Sequence, residues 1–401
     1  MKATNVLKAL ISLLILSMLV TSCSPAGSGE QTAGGEDTII IGAALCLTGI
    51  QSPLDEPALR GAQLAVDEIN KNGGVLGKQL VLLALDGKSD PVTVGNVAIQ
   101  LIEQGAQAII TPSDFDFGGP AAREAQNAGI VAISPAASSP LFGSKALGDK
   151  QFTMSMWNTT MGAAGAEYAY NQKEWRSVYV VTDTFIDYTK SLSRYFIAAF
   201  GDMGGEVIFE DTYTQGAQDF SAQLARIKAL EKQPDFIYIS SYMPDLGTII
   251  RAIREAGITT PIMGGDSYDD PGLFQAVGAD YGNEIYFTTH SWVSPDTSPE
   301  MKSFMDAWNA KYGKEPDAMW VVTGWDAVQI LAQAMEKAGT TDGAAVAKVM
   351  EDTEWNLLTG KLNWSDAAGG HETDKEAALV ALSAGKPSFI GWVRPAKIPP
   401  P

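Results

Sequence analysis

Beyond residue 37 the chain alternates short apolar runs with longer amphipathic stretches. Residues 38–44 are rich in isoleucine without polar alternation, the pattern of a strand buried on both faces. Residues 57–71 set Leu59, Ala62, Val66 and Ile69 on one helical face and Arg60, Asp67, Glu68 and Lys71 off it. Asn72-Gly73-Gly74 stops that helix. The same reading predicts strands over 80–85, 108–110 and 130–133, with helices over 93–104 and 120–128, the last opened by Pro120. The rhythm restarts after about residue 155. Strands are expected over 178–182, 206–209, 236–240, 262–263 and 284–288, and helices over 188–200, 221–230 and 246–256. Two long helices follow, 299–312 and 320–338. Repeated β-α order implies an α/β fold of two doubly wound lobes, each a parallel sheet covered by helices. Ligands in such sheets bind beyond the carboxyl ends of the strands, so two facing lobes create a cleft.

The first 37 residues follow another pattern. Lys2 and Lys8 precede an apolar run over 9–20 that is too short to span a bilayer. The run ends in Val20-Thr21-Ser22-Cys23. Small residues before a cysteine are the pattern of a lipoprotein signal peptide, cut before Cys23 after its thiol is diacylated. Residues 24–37 are Gly-, Ser- and Thr-rich and lack any large apolar side chain, as a flexible tether does. The expected organisation is a signal peptide over 1–22 and a lipid-anchored linker over 23–37, and hence a body outside the cytoplasm, held to the cell membrane.

Charge narrows the partners. The formal charge of −19 becomes −21 once residues 1–22, with two lysines and no acid, are removed. Such a body lacks the clustered Lys and Arg that nucleic acid requires. Beyond Cys23 the only cysteine is Cys46, inside an apolar run, which reads as a buried core thiol. The two histidines, His290 and His371, lie in unrelated contexts, and no Cys/His metal cluster, phosphate loop or Gly-x-Ser-x-Gly elbow is present in the sequence. A cofactor and a bound metal are therefore not expected. The plentiful acid pairs leave a glycosidase open by counting alone, and only the resemblance carried by the motifs below implies that the chain is not an enzyme.

Motifs in a fixed order identify a resemblance. They are Leu47-Thr48-Gly49, Gly61-Ala62-Gln63-Leu64-Ala65-Val66-Asp67-Glu68-Ile69-Asn70, Asp90-Pro91, Ser134-Pro135-Ala136-Ala137-Ser138, Asp219-Phe220-Ser221 and Gly324-Trp325-Asp326-Ala327-Val328. Together they resemble the branched-chain amino acid type of periplasmic solute-binding protein, a type I binding fold that serves ABC importers. The resemblance implies two lobes joined by a three-segment hinge, with crossings near Ser155, Thr288-Thr289 and Thr359 to Lys361. It assigns 38–155 and 290–358 to the first lobe, and 156–289 and 359–401 to the second. It implies a small polar solute, such as an amino acid, and as partners a permease and its ATPase, with the binding protein a monomer. A sensory receptor subunit of the same fold is the alternative, as is a polyamine, amide, sugar or aromatic ligand.

In that family an amino acid's carboxylate meets hydroxyls and N–H groups of the first lobe, and its ammonium meets an acid of the second. Carried over, the resemblance implies Ala136 and Ser138 for the carboxylate and Asp266 for the ammonium. Tyr242, Trp320 and Tyr188 match aromatics that line the site. Two departures stand out. Where the family has a serine after the third strand, this chain has Phe115 between Asp114 and Asp116, and Leu54 replaces an aromatic near the first loop. Phe115 and one of the two acids, Asp116 or Asp114, are therefore candidate ligand contacts. Two extra acids point away from a simple aliphatic amino acid.

Overall fold

The computed structural model describes residues 38–316 and 318–401; the signal peptide, Cys23 and the tether lie outside the described residues. The isoleucine-rich segment forms β1 (Thr38–Leu45) and is buried along nearly its whole length. It lies inside a parallel sheet with β2 (Gln79–Asp86), β3 (Ala106–Ile110), β4 (Val131–Ser134) and β5 (Gln151–Thr153), in the order β2-β1-β3-β4-β5. Between these strands run α1 (Ser52–Lys71), α2 (Pro91–Glu103), α3 (Phe115–Ala128) and the short α4 (Ser144–Leu147).

After α5 (Asn158–Glu167) a second sheet begins with β6 (Ser177–Asp183), β7 (Glu206–Tyr213), β8 (Phe236–Ser240), β9 (Ile262–Gly264) and β10 (Ile285–Thr289). Its helices are α6 (Asp187–Asp202), α7 (Ser221–Ala229), α8 (Asp245–Glu255) and α9 (Pro271–Tyr281). The chain then adds α10 (Pro299–Tyr312), α11 (Trp320–Ala338), α12 (Gly343–Glu351) and a small antiparallel sheet of β11 (Trp355–Leu357), β12 (Gly360–Trp364) and β13 (Thr373–Asp374). It closes with β14 (Ala377–Ser383) and β15 (Lys386–Val393), so the second sheet reads β15-β14-β10-β9-β8-β6-β7. The last two strands enter antiparallel, a hairpin on the edge of an otherwise parallel sheet.

Three differences from the sequence reading have physical causes. Helices α1 and α3 start at Ser52 and Phe115, five residues before the prolines expected to open them. A proline early in a helix removes only one backbone bond, so it marks the neighbourhood of a start rather than its position. Residues 360–374, expected in the second lobe, pack on the first. Leu362 and Trp364 share a core with Ile39, Phe152 and Met154, and Trp364 Nε1 donates to Thr153 O at 2.9 Å. The final crossing between the sheets is thus Lys375-Glu376, not Thr359 to Lys361. Lys375 is 2% exposed there, and its Nζ donates to Thr359 Oγ1 at 2.6 Å and Met154 O at 3.3 Å. Burial holds its ammonium down to about 8, opposed by the nearby Asp326 carboxylate.

Two glycines let α1 and α11 touch backbone to backbone. A Cβ on Gly61 would sit 1.9 Å from Val321 O, and one on Gly324 would sit 2.0 Å from Ala58 O. No side-chain rearrangement relieves a clash with a carbonyl. Gly61→Ala is therefore expected to destabilise the fold by about 1–3 kcal/mol through overpacking, although alanine is the better helix former by up to ~1 kcal/mol. Denaturant unfolding checks this as a lower midpoint at unchanged slope.

Candidate functional site

The loops that leave the strands at their carboxyl ends meet between the two sheets. Ser113 and Asp114 follow β3, Ala136 follows β4, Tyr188 follows β6, Tyr242 follows β8, and Asp266 and Ser267 follow β9. With Leu54 from α1 and Trp320 from α11 they line one cavity with a free volume of about 10 Å³. That is about the room of a single water, so the walls lie close together around it.

The walls are buried yet partly unsatisfied. Ser113 Oγ and Trp320 Nε1 on the first lobe, and Tyr242 OH and Asp266 Oδ1 on the second, have no hydrogen-bond partner in the protein. Each parent residue is 3% exposed or less. A buried polar atom without a partner is costly. Four such atoms around one cavity are the signature of a polar ligand site.

Asp266 is positioned by a histidine. Its Oδ2 lies 2.8 Å from His290 Nε2, and Ser155 Oγ lies 3.2 Å from the same nitrogen. Ser155 Oγ donates to Met156 O, so it faces His290 as an acceptor. A carboxylate and a hydroxyl acceptor both require a proton on Nε2. His290 Nδ1 is buried without a hydrogen-bond partner in the protein. Because serine and aspartate meet the same nitrogen, this triangle cannot relay a proton as a Ser-His-Asp triad does. It fixes Asp266 Oδ2 and leaves Oδ1 toward the cavity. Ser155 belongs to the first crossing and His290 to the second, so the hinge itself orients this acid.

Asp114 stands opposite. It is 5% exposed, extended before the first turn of α3, and its Oδ2 accepts from Gln51 Nε2. Burial, together with the charges of Asp266, Asp116 and Asp55, pushes its carboxyl up to about 8. Burial first and then Asp266 likewise raise the Tyr188 phenol, which stays protonated; its oxygen accepts from Ser267 N at 3.2 Å. Burial and the charge of Asp114 raise the Tyr242 phenol too.

Of the residues the sequence singled out, Ala136, Tyr188, Tyr242, Asp266 and Trp320 meet at this cavity, and Phe115, Asp116 and Ser138 do not line it. Phe115 packs on the core beside α3. Asp116 Oδ2 accepts from Asp187 N at 2.8 Å, at the start of α6. Ser139 Oγ donates to the Asp187 carboxylate. Both contacts join a loop or helix start of the first sheet's side to the start of α6. Ser138 is buried, with its carbonyl accepting from Asn158 N at 2.7 Å. The reason is helical: α3 starts at Phe115, and each further residue turns by about 100°, so Asp114 faces the cavity while Phe115 and Asp116 turn away. Ser113, Ser267 and the supporting His290 were missed. Ser113 had a signal, being the serine on the loop after the third strand. His290 had none, because its partners are 24 and 135 residues away. Among the described residues no group of His, Cys, Asp and Glu side chains is arranged to hold a metal ion.

Comparison with known proteins agrees with this architecture. The family model described as periplasmic binding protein matches residues 38–387. A Leu/Ile/Val-binding protein of Rhizobium johnstonii is 29% identical over 350 residues, which cover 87% of this chain and 92% of that protein. The branched-chain amino acid transporter substrate-binding protein LivJ of Streptococcus pneumoniae, solved with isoleucine, superposes with a TM-score of 0.81 at 28% identity, covering 89% of this chain and all of that one. The leucine-binding protein LivK of Thermotoga maritima gives 0.80 at 29%, covering 89% and 99%.

The carboxyl of Asp114 ionises near its ordinary 3.8 in the unfolded chain but at about 8 in the folded one. The folded protein keeps a proton that the unfolded chain has lost, so this group lowers stability as pH rises from about 4 to 8. Asp114→Asn is expected to raise the melting temperature of the solute-free protein by a few degrees at pH 8, and to leave it unchanged near pH 4. Thermal melts of both proteins across that range check it.

Proposed function

The chain belongs to the periplasmic binding protein family, and on that premise we propose that it traps a small amine-bearing solute, an amino acid or an amino-acid-like compound, and delivers it to an ABC importer. The observation that carries this reading is the ring of unpartnered atoms. Ser113 Oγ and Trp320 Nε1 come from one lobe, and Tyr242 OH and Asp266 Oδ1 from the other. A solute that satisfies atoms on both lobes stabilises the closed form over any open one, which is the differential affinity that hinge closure needs. The names of the relatives, which bind leucine, isoleucine and valine, support an amine on the solute. Asp266 Oδ1 is the acceptor for that amine.

Closure also explains the interlobe contacts. Asp116 and Ser139 of the first lobe meet the start of α6 on the second. These bonds part when the lobes open to admit solute. The closed surface is what a permease would distinguish from the empty, open form, with an ATPase driving release on the far side. Members of this family bind and release their solutes without chemistry.

The anchor belongs to the same proposal. Val20-Thr21-Ser22-Cys23 supports lipidation at Cys23, and residues 24–37 supply reach. Among the described residues no helix is long and apolar enough to cross a membrane.

Two outcomes are expected. Asp266→Asn removes the charge from one hydrogen bond to the amine and should weaken binding about 10- to 100-fold, as charge-assisted hydrogen bonds contribute ~1.5–3 kcal/mol; calorimetry with the solute that gives the largest thermal shift measures it. Cys23→Ser should move the protein from the membrane fraction to the soluble fraction; an unchanged distribution would rule the anchor out.

A further inference from the structure

We propose that Asp55 is a positioning residue of the solute site: as a carboxylate it holds Ser113 in place against the solute, and its protonation loosens that hold. The proposal rests on reading this cavity as the solute site, and it adds a pH dependence to that reading. Asp55 does not itself line the cavity; it acts through residues that do.

The geometry sets this acid directly behind the wall. Asp55 lies in the first turn of α1 and is fully buried. The N–H of Ser113 donates to its Oδ1 and the N–H of Cys46 to its Oδ2, both at 2.9 Å. One helix carboxylate thus clasps the chain where it leaves two neighbouring strands, β1 and β3. Leu54, the residue before it, lines the cavity, as do Ser113 and Asp114 at the far end of one of its bonds. The Ser113 hydroxyl also stands near this carboxyl, close enough to lower its pKa, yet has no hydrogen-bond partner in the protein. Asp55 therefore fixes the backbone that carries a hydroxyl still free to meet a solute.

Both bonds need the ionised form. A backbone N–H only donates, and a protonated carboxyl turns one of its two oxygens into an O–H donor. One bond of the clasp is then lost or weakened, and a buried N–H goes without its partner. Burial pushes the Asp55 carboxyl up to about 6, against the bonds from Ser113 and Cys46. The ionisable groups around it do not change over the same range. Burial first and then Asp55 raise the Cys46 thiol, which stays protonated. Burial and neighbouring acids, Asp55 among them, push Asp114 up to about 8, so it too keeps its proton below about pH 7. Burial of Asp86, whose field reaches Cys46, is outweighed by bonds from Thr48, Lys88 and Leu47, which hold it below the ordinary carboxylate range. Glu56, beside Asp55 on α1, is exposed and pairs with Arg60. Folding raises the Asp55 pKa from 3.8, so the folded protein holds this proton more tightly than the unfolded chain. The group therefore adds stability as pH falls through about 6, while the site loses its clasp. Affinity and stability move in opposite directions, which a merely structural role does not allow.

Calorimetry over about pH 7.5 to 5 tests this on the purified protein, freed of co-purified solute. The probe is L-isoleucine or, where another of the twenty amino acids gives a larger thermal shift, that amino acid. The affinity of the unaltered protein should fall about tenfold across the range, while its solute-free melting temperature does not fall with it. Asp55→Asn keeps the shape but can accept only one of the two N–H groups. It should bind about tenfold more weakly at pH 7.5 and lose most of the fall toward pH 5. In a Ser113→Ala background the same substitution should cost less than about threefold, because the hydroxyl it places is gone. Should Asp55→Asn fail to fold, Ser113→Ala alone gives the contrast, with an affinity nearly flat across the range. An affinity of the unaltered protein that is flat with pH, or a fall that is equal in the variants, overturns the positioning role and leaves the solute-binding reading intact. Absence of binding by every amino acid at every pH overturns the amino-acid reading and this inference with it.

Discussion

A carboxylate removed from water must find donors or a counter-charge, and the site between the lobes is organised around that constraint. Asp266 is 3% exposed. One oxygen is held by His290; the other is left open to the cavity. The histidine stands on one interlobe crossing and touches Ser155 on another. The acid that faces the cavity is therefore tied to two of the segments that connect the sheets. Its orientation is set by the backbone path of the hinge rather than by a mobile loop.

The same constraint explains much of the acidity of the chain. Asp86 accepts from the N–H groups of Leu47 and Thr48, Asp55 from Cys46 and Ser113, Asp183 from Phe185 and Gln215, and Asp245 from Gly216 and Ala217. Asp326 does the same for Leu358 and Thr359. Each carboxylate joins a pair of backbone N–H groups and fixes a loop, most of them near the ends of strands. A large negative charge is thus partly structural and not only a solvated surface. Asp114 and Asp266 differ from these acids. Their partners are side chains, so their remaining valence faces the cavity.

The crossings between the sheets are held by the same kind of bond. Lys375 ties the last crossing to Met154 O on the first and to Thr359 on the first lobe. The lobes also meet through Asp116 and Asp187, where a carboxylate caps the start of α6. Buried polar bonds tie the crossings together, and a half-buried one joins the two sides at the rim.

The sequence by itself determined the α/β class, the two lobes and most of their helices and strands, because apolar periodicity is a local property and survives without neighbours. Helices over 299–312 and 320–338 were legible to the residue. The family resemblance, rather than periodicity, pointed to Ala136, Tyr188, Tyr242, Asp266 and Trp320, which do line the cavity. Only the tertiary structure decided which acid of the Asp114-Phe115-Asp116 run faces inward, since that depends on the turn at which α3 starts. It alone moved residues 360–374 onto the first lobe, where Leu362 and Trp364 found apolar partners about two hundred residues or more away in the chain. It alone brought His290 and Ser155 to Asp266. Hydrogen bonds between distant segments leave no period in a sequence, so the groups that tune this site had to be seen in space.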